Sequence, residues 1–75
     1  MNGKRRVLRV NPKYASEIID ALGGTRQVSI ICDVRDSSVS DWRKTGMPKS
    51  RFMYLSERYK KIVSAQFKSK QDLYV

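Results

Sequence analysis

The chain has 75 residues, which is enough for one domain at most. Its 16 lysines and arginines against seven acids leave a net charge of +9, which favours a polyanionic partner. One cysteine, no histidine and no apolar run near the roughly 20 residues of a membrane span point away from a disulfide, a zinc site or a transmembrane protein. We therefore expect a cytoplasmic module that is not an enzyme and needs no cofactor.

The N-terminal arm, residues 1–10, has basic residues and no acid. We expect a flexible arm that follows DNA phosphates or enters the minor groove, and a solvated tail is the alternative. A weak alternation over residues 6–10 also allows a short strand pairing with residues 73–75. The basic cluster of the arm consists of Lys4, Arg5 and Arg6.

The first predicted helix spans residues 12–22. Asn11 suits the N-cap, and Pro12 is tolerated at the first helical position because its missing N–H has no helical partner there. Gly23 and Gly24 are expected to end the helix. One apolar face follows from residues that recur at helical spacing: Ala15, Ile18, Ile19 and Leu22.

A second helix is predicted over about residues 26–32, with Thr25 as its N-cap. Ser29 is the small residue of this helix, and its apolar face is formed by Val28, Ile31 and Cys32. We expect Cys32 to be a small core residue rather than a redox sensor. Asp33 then suits a tight turn, since Asp tolerates a positive φ better than most residues.

A third helix is predicted from near Asp36 to about residue 44, before Gly46. Asp36 or Ser37 can cap its first N–H groups, and an acid at that end suits the helix dipole. Val39 and Trp42 lie three residues apart and face the same way. This spacing places Trp42 in the core rather than against a nucleic-acid base.

The Met47-Pro48 pair is predicted to open a fourth helix. No Gly or Pro follows between residues 49 and 75, so one long helix, or two with a bend near residues 58–61, would fit. One stripe of this segment recurs at helical spacing and consists of Phe52, Leu55, Tyr59, Ile62 and Gln66, with Val63 and Phe67 flanking the same side. We expect one domain over residues 1–75, with its core in residues 12–58. A chain this short has a limited core, so we assign residues 59–75, the C-terminal helical segment, to a homodimer contact. The residues expected at this contact are Val63, Phe67, Leu73 and Tyr74.

The stretch from Thr25 to Lys44 combines these signals into one pattern. A small residue, Ser29, is followed four positions later by the turn residue and then by apolar residues at Val34, Val39 and Trp42. This pattern is typical of a helix-turn-helix, because two short crossing helices need a small contact residue, a tight turn and a few apolar anchors. The expected fold class is thus a small all-α domain of four to five helices, with short terminal strands as an option.

The run LGGTRQVSIICDVRDSSVSDWRKTGMP resembles the Cro-type, lambda-repressor-like repressors of lambdoid phages, over about residues 15–55. The family's turn residue is usually Gly, whereas here it is Asp33. The family's recognition helix often starts with Thr or Ser followed by Pro or Gln, whereas here it starts with Arg35-Asp36. The residues that match the family's pattern are Val34, Val39, Ser40, Trp42, Gly46, Met47 and Pro48.

The resemblance implies that the third helix enters the major groove. Arg35 could bind guanine O6 and N7, and Asp36 or Asp41 could accept from cytosine N4. The base-reading set is Arg35, Asp36, Ser37, Ser40, Asp41 and Lys44. The phosphate-contacting set is Thr25, Arg26, Gln27 and Arg43 together with Lys4, Arg5 and Arg6. Structural alternatives are that Asp36 only caps the helix, that the two serines are solvated, and that Arg35 pairs with Asp36 or Glu17.

The function that this resemblance implies is transcriptional repression. A homodimer would occupy an inverted-repeat operator on double-stranded DNA and exclude polymerase. One alternative is the antitoxin or autoregulator of a two-gene operon, in which the C-terminal segment binds a protein. Another is a non-specific nucleic-acid binder, which the acids Asp36 and Asp41 disfavour because they would weaken generic binding to phosphates.

Overall fold

A computed structural model describes residues 8–66 of the chain. Five helices and a two-stranded antiparallel sheet form this part of the molecule, which confirms the predicted small, mostly α-helical fold. The elements in chain order are strand β1 (Arg9–Val10), helices α1 (Pro12–Ala21), α2 (Thr25–Cys32) and α3 (Asp36–Thr45), strand β2 (Met47–Pro48), and helices α4 (Lys49–Arg58) and α5 (Lys60–Ala65).

Helix α1 begins as its sequence predicts. The Asn11 side chain accepts a hydrogen bond from the Lys13 backbone N–H at 2.8 Å, and Pro12 occupies the first helical position. The helix ends at Ala21, one residue earlier than predicted, and the Gly24 N–H then donates to the Ile19 carbonyl at 2.8 Å. These caps satisfy backbone groups that a helix end would otherwise leave without partners.

The hydrophobic core is built around α1, which packs against α2, α3 and α5. The predicted apolar face of α1 is buried, and the predictions that Cys32 and Trp42 belong to the core are confirmed. Tyr14, Phe52 and Tyr59 pack partly buried against its edge. The buried hydrophobic residues are Val10, Ala15, Ile18, Ile19, Leu22, Val28, Cys32, Val39, Trp42, Met47, Leu55 and Val63.

The two strands correct the expectation for the start of the fourth helix. Met47 and Pro48 form β2 and pair with Val10 and Arg9, so α4 begins only at Lys49. The reason is that Met47 is fully buried and β2 lies against β1, a contact between segments far apart in sequence. Proline at the end of a two-residue strand is tolerated because it removes no interior ladder bond.

The same pairing corrects the boundary of the N-terminal arm. Arg9 and Val10 belong to the folded part: Val10 is fully buried, and Arg9 Nη1 donates to the Gly46 carbonyl oxygen at 3.1 Å. The alternation over residues 6–10 allowed a pairing with residues 73–75, whereas β1 pairs with β2. The basic cluster Lys4, Arg5 and Arg6, and residues 73–75, lie outside the described residues.

A break at Tyr59 separates α4 from α5, which confirms the alternative with a bend near residues 58–61. Tyr59 has φ −125° and ψ 52°, outside the helical range. After the break, the predicted stripe that includes Ile62 no longer marks the buried side of the segment. Val63 is 2% exposed and belongs to the core, whereas Ile62 is 40% exposed.

This burial corrects the expected role of Val63 at a dimer contact. The side chain packs within its own chain, where α5 contacts α1, and is not open to a second copy. The other predicted dimer residues, Phe67, Leu73 and Tyr74, lie outside the described part of the chain. None of the helices within residues 8–66 is both long and apolar enough to cross a membrane.

Candidate nucleic-acid interface

The turn between α2 and α3 is short and left-handed at one residue. Asp33 has φ 58° and ψ 49°, which confirms the predicted tight turn. Its backbone N–H donates to the carbonyl of Ile30, and the next N–H, that of Val34, donates to the carbonyl of Ser29 at 3.0 Å. Arg35 is extended, so that α3 starts at once in a new direction.

Helix α3 has one buried side and one exposed side. Val39 and Trp42 are buried, as their spacing predicts. All six residues predicted to read bases are exposed, and they lie on or immediately before this helix: Arg35, Asp36, Ser37, Ser40, Asp41 and Lys44. The structure therefore brings the predicted set together on one element and leaves it open to solvent.

Asp36 is held by α2 across the turn. Its Oδ1 accepts a hydrogen bond from Ser29 Oγ at 2.6 Å, and its Oδ2 accepts one from Arg26 Nη1 at 3.3 Å. The hydrogen bond from Ser29, followed by that from Arg26 and the charge of Arg26, lowers the pKa of the Asp36 carboxyl below its ordinary value. Hydrogen bonds to the charged form thus stabilise the ionised carboxylate in the folded chain.

These contacts correct the expectation that Asp36 or Ser37 caps α3. The N-cap is Arg35, which makes no side-chain cap bond, and Asp36 is already the first helical residue. Asp36 still places a negative charge in the first turn, where it suits the helix dipole. Its ion-pair partner is Arg26 rather than Arg35.

Thr25 is likewise the first residue of its helix and not the N-cap. Gly24 takes the cap position of α2, without a side-chain bond. Thr25 Oγ1 accepts a hydrogen bond from Arg43 Nε at 3.0 Å, and Arg43 Nη2 donates to Asp20 Oδ1 at 2.7 Å. Arg43, predicted to contact phosphate, therefore joins the end of α3 to the end of α1 and the start of α2.

The remaining phosphate candidates lie in the first turn of α2. Arg26 and Gln27 are exposed there, beside backbone N–H groups that have no side-chain cap. A phosphate at a helix N-terminus is favoured by these N–H groups and by the helix dipole. The first turn of α2 and the start of α3 together form a polar surface on one side of the molecule.

Ile30 is a surface residue that the sequence pattern did not single out. It is 61% exposed and lines a shallow groove between α2 and the turn, beside Arg26, Val34 and Arg35. The signal available in the sequence was that Ile30 is a large apolar residue outside the predicted apolar face of Val28, Ile31 and Cys32. A large exposed apolar side chain at this groove can contact a thymine methyl group or a sugar.

No group of three or more acidic or cysteine side chains within residues 8–66 is arranged to hold a metal ion. The polar surface consists of guanidinium, hydroxyl, amide and carboxylate groups, which suit hydrogen bonding to base edges and phosphates. Comparison with protein-family models, with curated proteins and with solved structures finds no match to this chain. We therefore infer its function from the geometry of this surface and from the sequence pattern of residues 25–44.

Proposed function

We propose that the chain is a sequence-specific regulator of transcription that binds double-stranded DNA in the manner of Cro-type repressors. The observation that supports this most is the two-sided α3. Val39 and Trp42 anchor it in the core, while its polar residues face solvent directly after the left-handed turn at Asp33. An α-helix presented in this way fits the major groove of B-form DNA.

Base recognition would use the exposed side chains of α3 and the residue before it. Arg35 can donate two hydrogen bonds to guanine, and Asp41 can accept one from cytosine N4. Ser37 and Ser40 can bond to base edges or phosphates, and Lys44, exposed near the end of α3, can bind a base or a phosphate. Each good bidentate contact discriminates against a wrong base by about 1–3 kcal/mol.

Phosphate contacts would set the position of the domain on the duplex. Arg26 and Gln27 are exposed in the first turn of α2, next to backbone N–H groups that no side chain caps. Arg43 supports this surface from within, since it binds Thr25 at the start of α2. The acids on α3 reduce generic attraction to phosphates, which makes affinity depend more on the correct base contacts.

A homodimer would bind an inverted repeat with half-sites about one helical turn apart. Two-fold symmetry doubles the contacts with DNA and matches the symmetry of the site. Occupation of such a site near a promoter would exclude polymerase, which is the repressor mode of action. The cytoplasm, where the DNA of a bacterial cell lies, would be the place of action.

The experiment is selection of bound duplexes from a random DNA pool by the full chain, at two salt concentrations. We expect an inverted repeat that is bound about 10³-fold or more above random DNA. Arg35→Ala should relax the preference at one position of each half-site. Arg58→Ala, which removes an exposed charge from the last turn of α4, should leave the preferred sequence unchanged. A pool without enrichment would refute the proposal.

One observation favours a second candidate, a non-specific nucleic-acid binder. Helices α4 and α5 have a single acid, Glu57, against five basic residues: Lys49, Arg51, Arg58, Lys60 and Lys61. A basic surface of this kind binds phosphates of any sequence and loses affinity steeply as salt rises. Equal binding of random and selected duplexes in the same experiment would support this candidate.

A further inference from the structure

Ser29 is a buried polar residue at the point where α2 meets the start of α3. It is 4% exposed, and its Oγ lies 2.6 Å from Asp36 Oδ1 and 2.7 Å from the carbonyl oxygen of Arg26. In a crossing of two helices, a small residue here would be enough for close approach. The hydroxyl adds a specific contact to the residue that begins α3.

The hydroxyl has one proton and two acceptors within reach. The Arg26 carbonyl belongs to the interior of α2, where the N–H four residues later is its helical donor. The ionised carboxylate of Asp36 is the stronger acceptor, and it has no such backbone donor. The proton of Ser29 is therefore directed to Asp36, across the turn.

The other carboxylate oxygen of Asp36 is turned to α2 as well, since Oδ2 accepts from Arg26 Nη1 at 3.3 Å. A carboxylate that reads cytosine N4 must point away from its own protein into the groove. Both oxygens of Asp36 already accept hydrogen bonds from α2, so turning the carboxylate into the groove would compete with the contacts to Ser29 and Arg26. The same contacts hold the Arg26 guanidinium near the start of both helices.

We propose that Ser29 and Asp36 form a latch, the Ser29–Asp36 latch, that fixes the start of α3 against α2 and holds Arg26 for a phosphate. Asp36 is then a positioning residue and not a base reader. This inference rests on the proposed DNA-binding function. It assigns base recognition to the other exposed residues of the set: Arg35, Ser37, Ser40, Asp41 and Lys44.

The latch itself is tested without DNA, by NMR titration of the Asp36 carboxyl in the full chain. We expect its pKa in Ser29→Ala to rise toward the ordinary value, because the hydrogen bond from Ser29 is the largest single cause of the shift. Ser64→Ala, an exposed serine in α5, is the matched control. An Asp36 pKa that is the same in Ser29→Ala and in the parent overturns the latch.

The role in DNA binding is tested with Asp36→Ala and Glu57→Ala. Both variants remove one exposed acid, but Glu57 lies on α4, outside the proposed base-reading and phosphate-contacting sets. We expect Asp36→Ala to keep the preferred sequence and to bind it about tenfold more weakly than Glu57→Ala does, a difference of about 1.4 kcal/mol. Ser29→Ala should weaken binding similarly, and the double variant Ser29→Ala/Asp36→Ala should add little further loss.

Two results overturn the positioning role. One is a new preferred base at a single position of the half-site in Asp36→Ala, with Ser29→Ala unchanged, since that pattern identifies a base reader. The other is additive loss in the double variant. If the parent chain selects no sequence at all, the proposed function and this role in DNA binding fail together, while the titration still decides whether the latch exists. Circular dichroism at the assay temperature verifies that every variant is folded.

Discussion

Arg43 of α3 donates from Nη2 to Oδ1 of Asp20, in the last turns of α1, at 2.7 Å. The same guanidinium donates from Nε to Thr25, so one side chain connects three helices. Arg43 is 27% exposed and Asp20 is 68% exposed, which places the ion pair at the edge of the core. Its contribution is more to the orientation of α3 than to overall stability, because water screens a partly exposed pair.

Replacing Arg43 with lysine keeps the charge but removes the planar group that reaches both partners. We expect Arg43→Lys to lower the free energy of unfolding by about 1 kcal/mol or less. Urea denaturation measures this change, with Arg58→Lys on the exposed surface of α4 as the matched control. Equal stability of the two variants would show that the network at Thr25 and Asp20 contributes nothing.

Gly46 and Gly24 have nearly the same φ, 105° and 103°, but different surroundings. A Cβ on Gly46 would lie 2.5 Å from the Val10 carbonyl oxygen, whereas a Cβ on Gly24 would meet nothing within 4 Å. We expect Gly24→Ala to lose about 1–3 kcal/mol from backbone strain alone. Gly46→Ala should lose about 1–3 kcal/mol more because β1 must move away. Thermal unfolding of both variants would measure this difference. Equal losses of stability would mean that β1 can move away from the new Cβ without a free-energy cost.

Val63 and Ile62 are neighbours in α5 with opposite burial. Val63→Ala removes two buried methyl groups, and we expect a loss of about 1–3 kcal/mol of stability. Ile62→Ala acts on an exposed side chain and should change stability by about 0.5 kcal/mol or less. Urea denaturation at two protein concentrations separates core packing from a dimer contact. If the loss of stability in Val63→Ala depends on protein concentration, Val63 contributes to a dimer contact.

Asp33 takes a left-handed conformation that glycine adopts without cost. We expect Asp33→Gly to retain the parent's stability to within about 1 kcal/mol. Asp33→Val should lose about 1–2 kcal/mol, since a branched Cβ clashes with the backbone in this region. Denaturation midpoints report the two changes. A stable Asp33→Val variant would mean that the turn between α2 and α3 can adopt another conformation.

The lowered pKa of the Asp36 carboxyl makes one part of the stability depend on pH. Hydrogen bonds from Ser29 and Arg26 favour the ionised form in the folded chain. This stabilisation is complete above the unfolded value of about 3.9 and is lost as the pH falls through the lower folded value. We expect the stability gap between the parent and Asp36→Asn to narrow below about pH 4. A gap that is constant from pH 7 to pH 2 would contradict this account.

Helix positions followed from local sequence because their causes are local. The Asn11-Pro12 start, the apolar spacing of α1 and the left-handed turn at Asp33 depend on residues within a few positions of each other. The buried side of α3 followed in the same way from Val39 and Trp42. The predicted base-reading residues came instead from the resemblance to Cro-type repressors, and they lie on or immediately before this helix.

Helix caps were predicted less well, because a side chain that could cap its own helix can instead bind a residue far away in sequence. Thr25 suits an N-cap, but it accepts from Arg43, 18 residues away. Asp36 also suits an N-cap, but its carboxylate accepts hydrogen bonds from Ser29 and Arg26 on the preceding helix. Capping preferences are averages over many helices, and a neighbouring element can override them.

The sequence by itself determined where α1, α2 and α3 lie, which of their faces are apolar and that a helix-turn-helix pattern is present. Only the tertiary structure decided that Met47 and Pro48 pair with β1, that Val63 packs inward after the break at Tyr59, and that Asp36 is bound to Ser29. The physical reason is the range of the interactions. Propensity and periodicity act over one or two helical turns, whereas strand pairing and side-chain partners depend on which distant segments the core brings together.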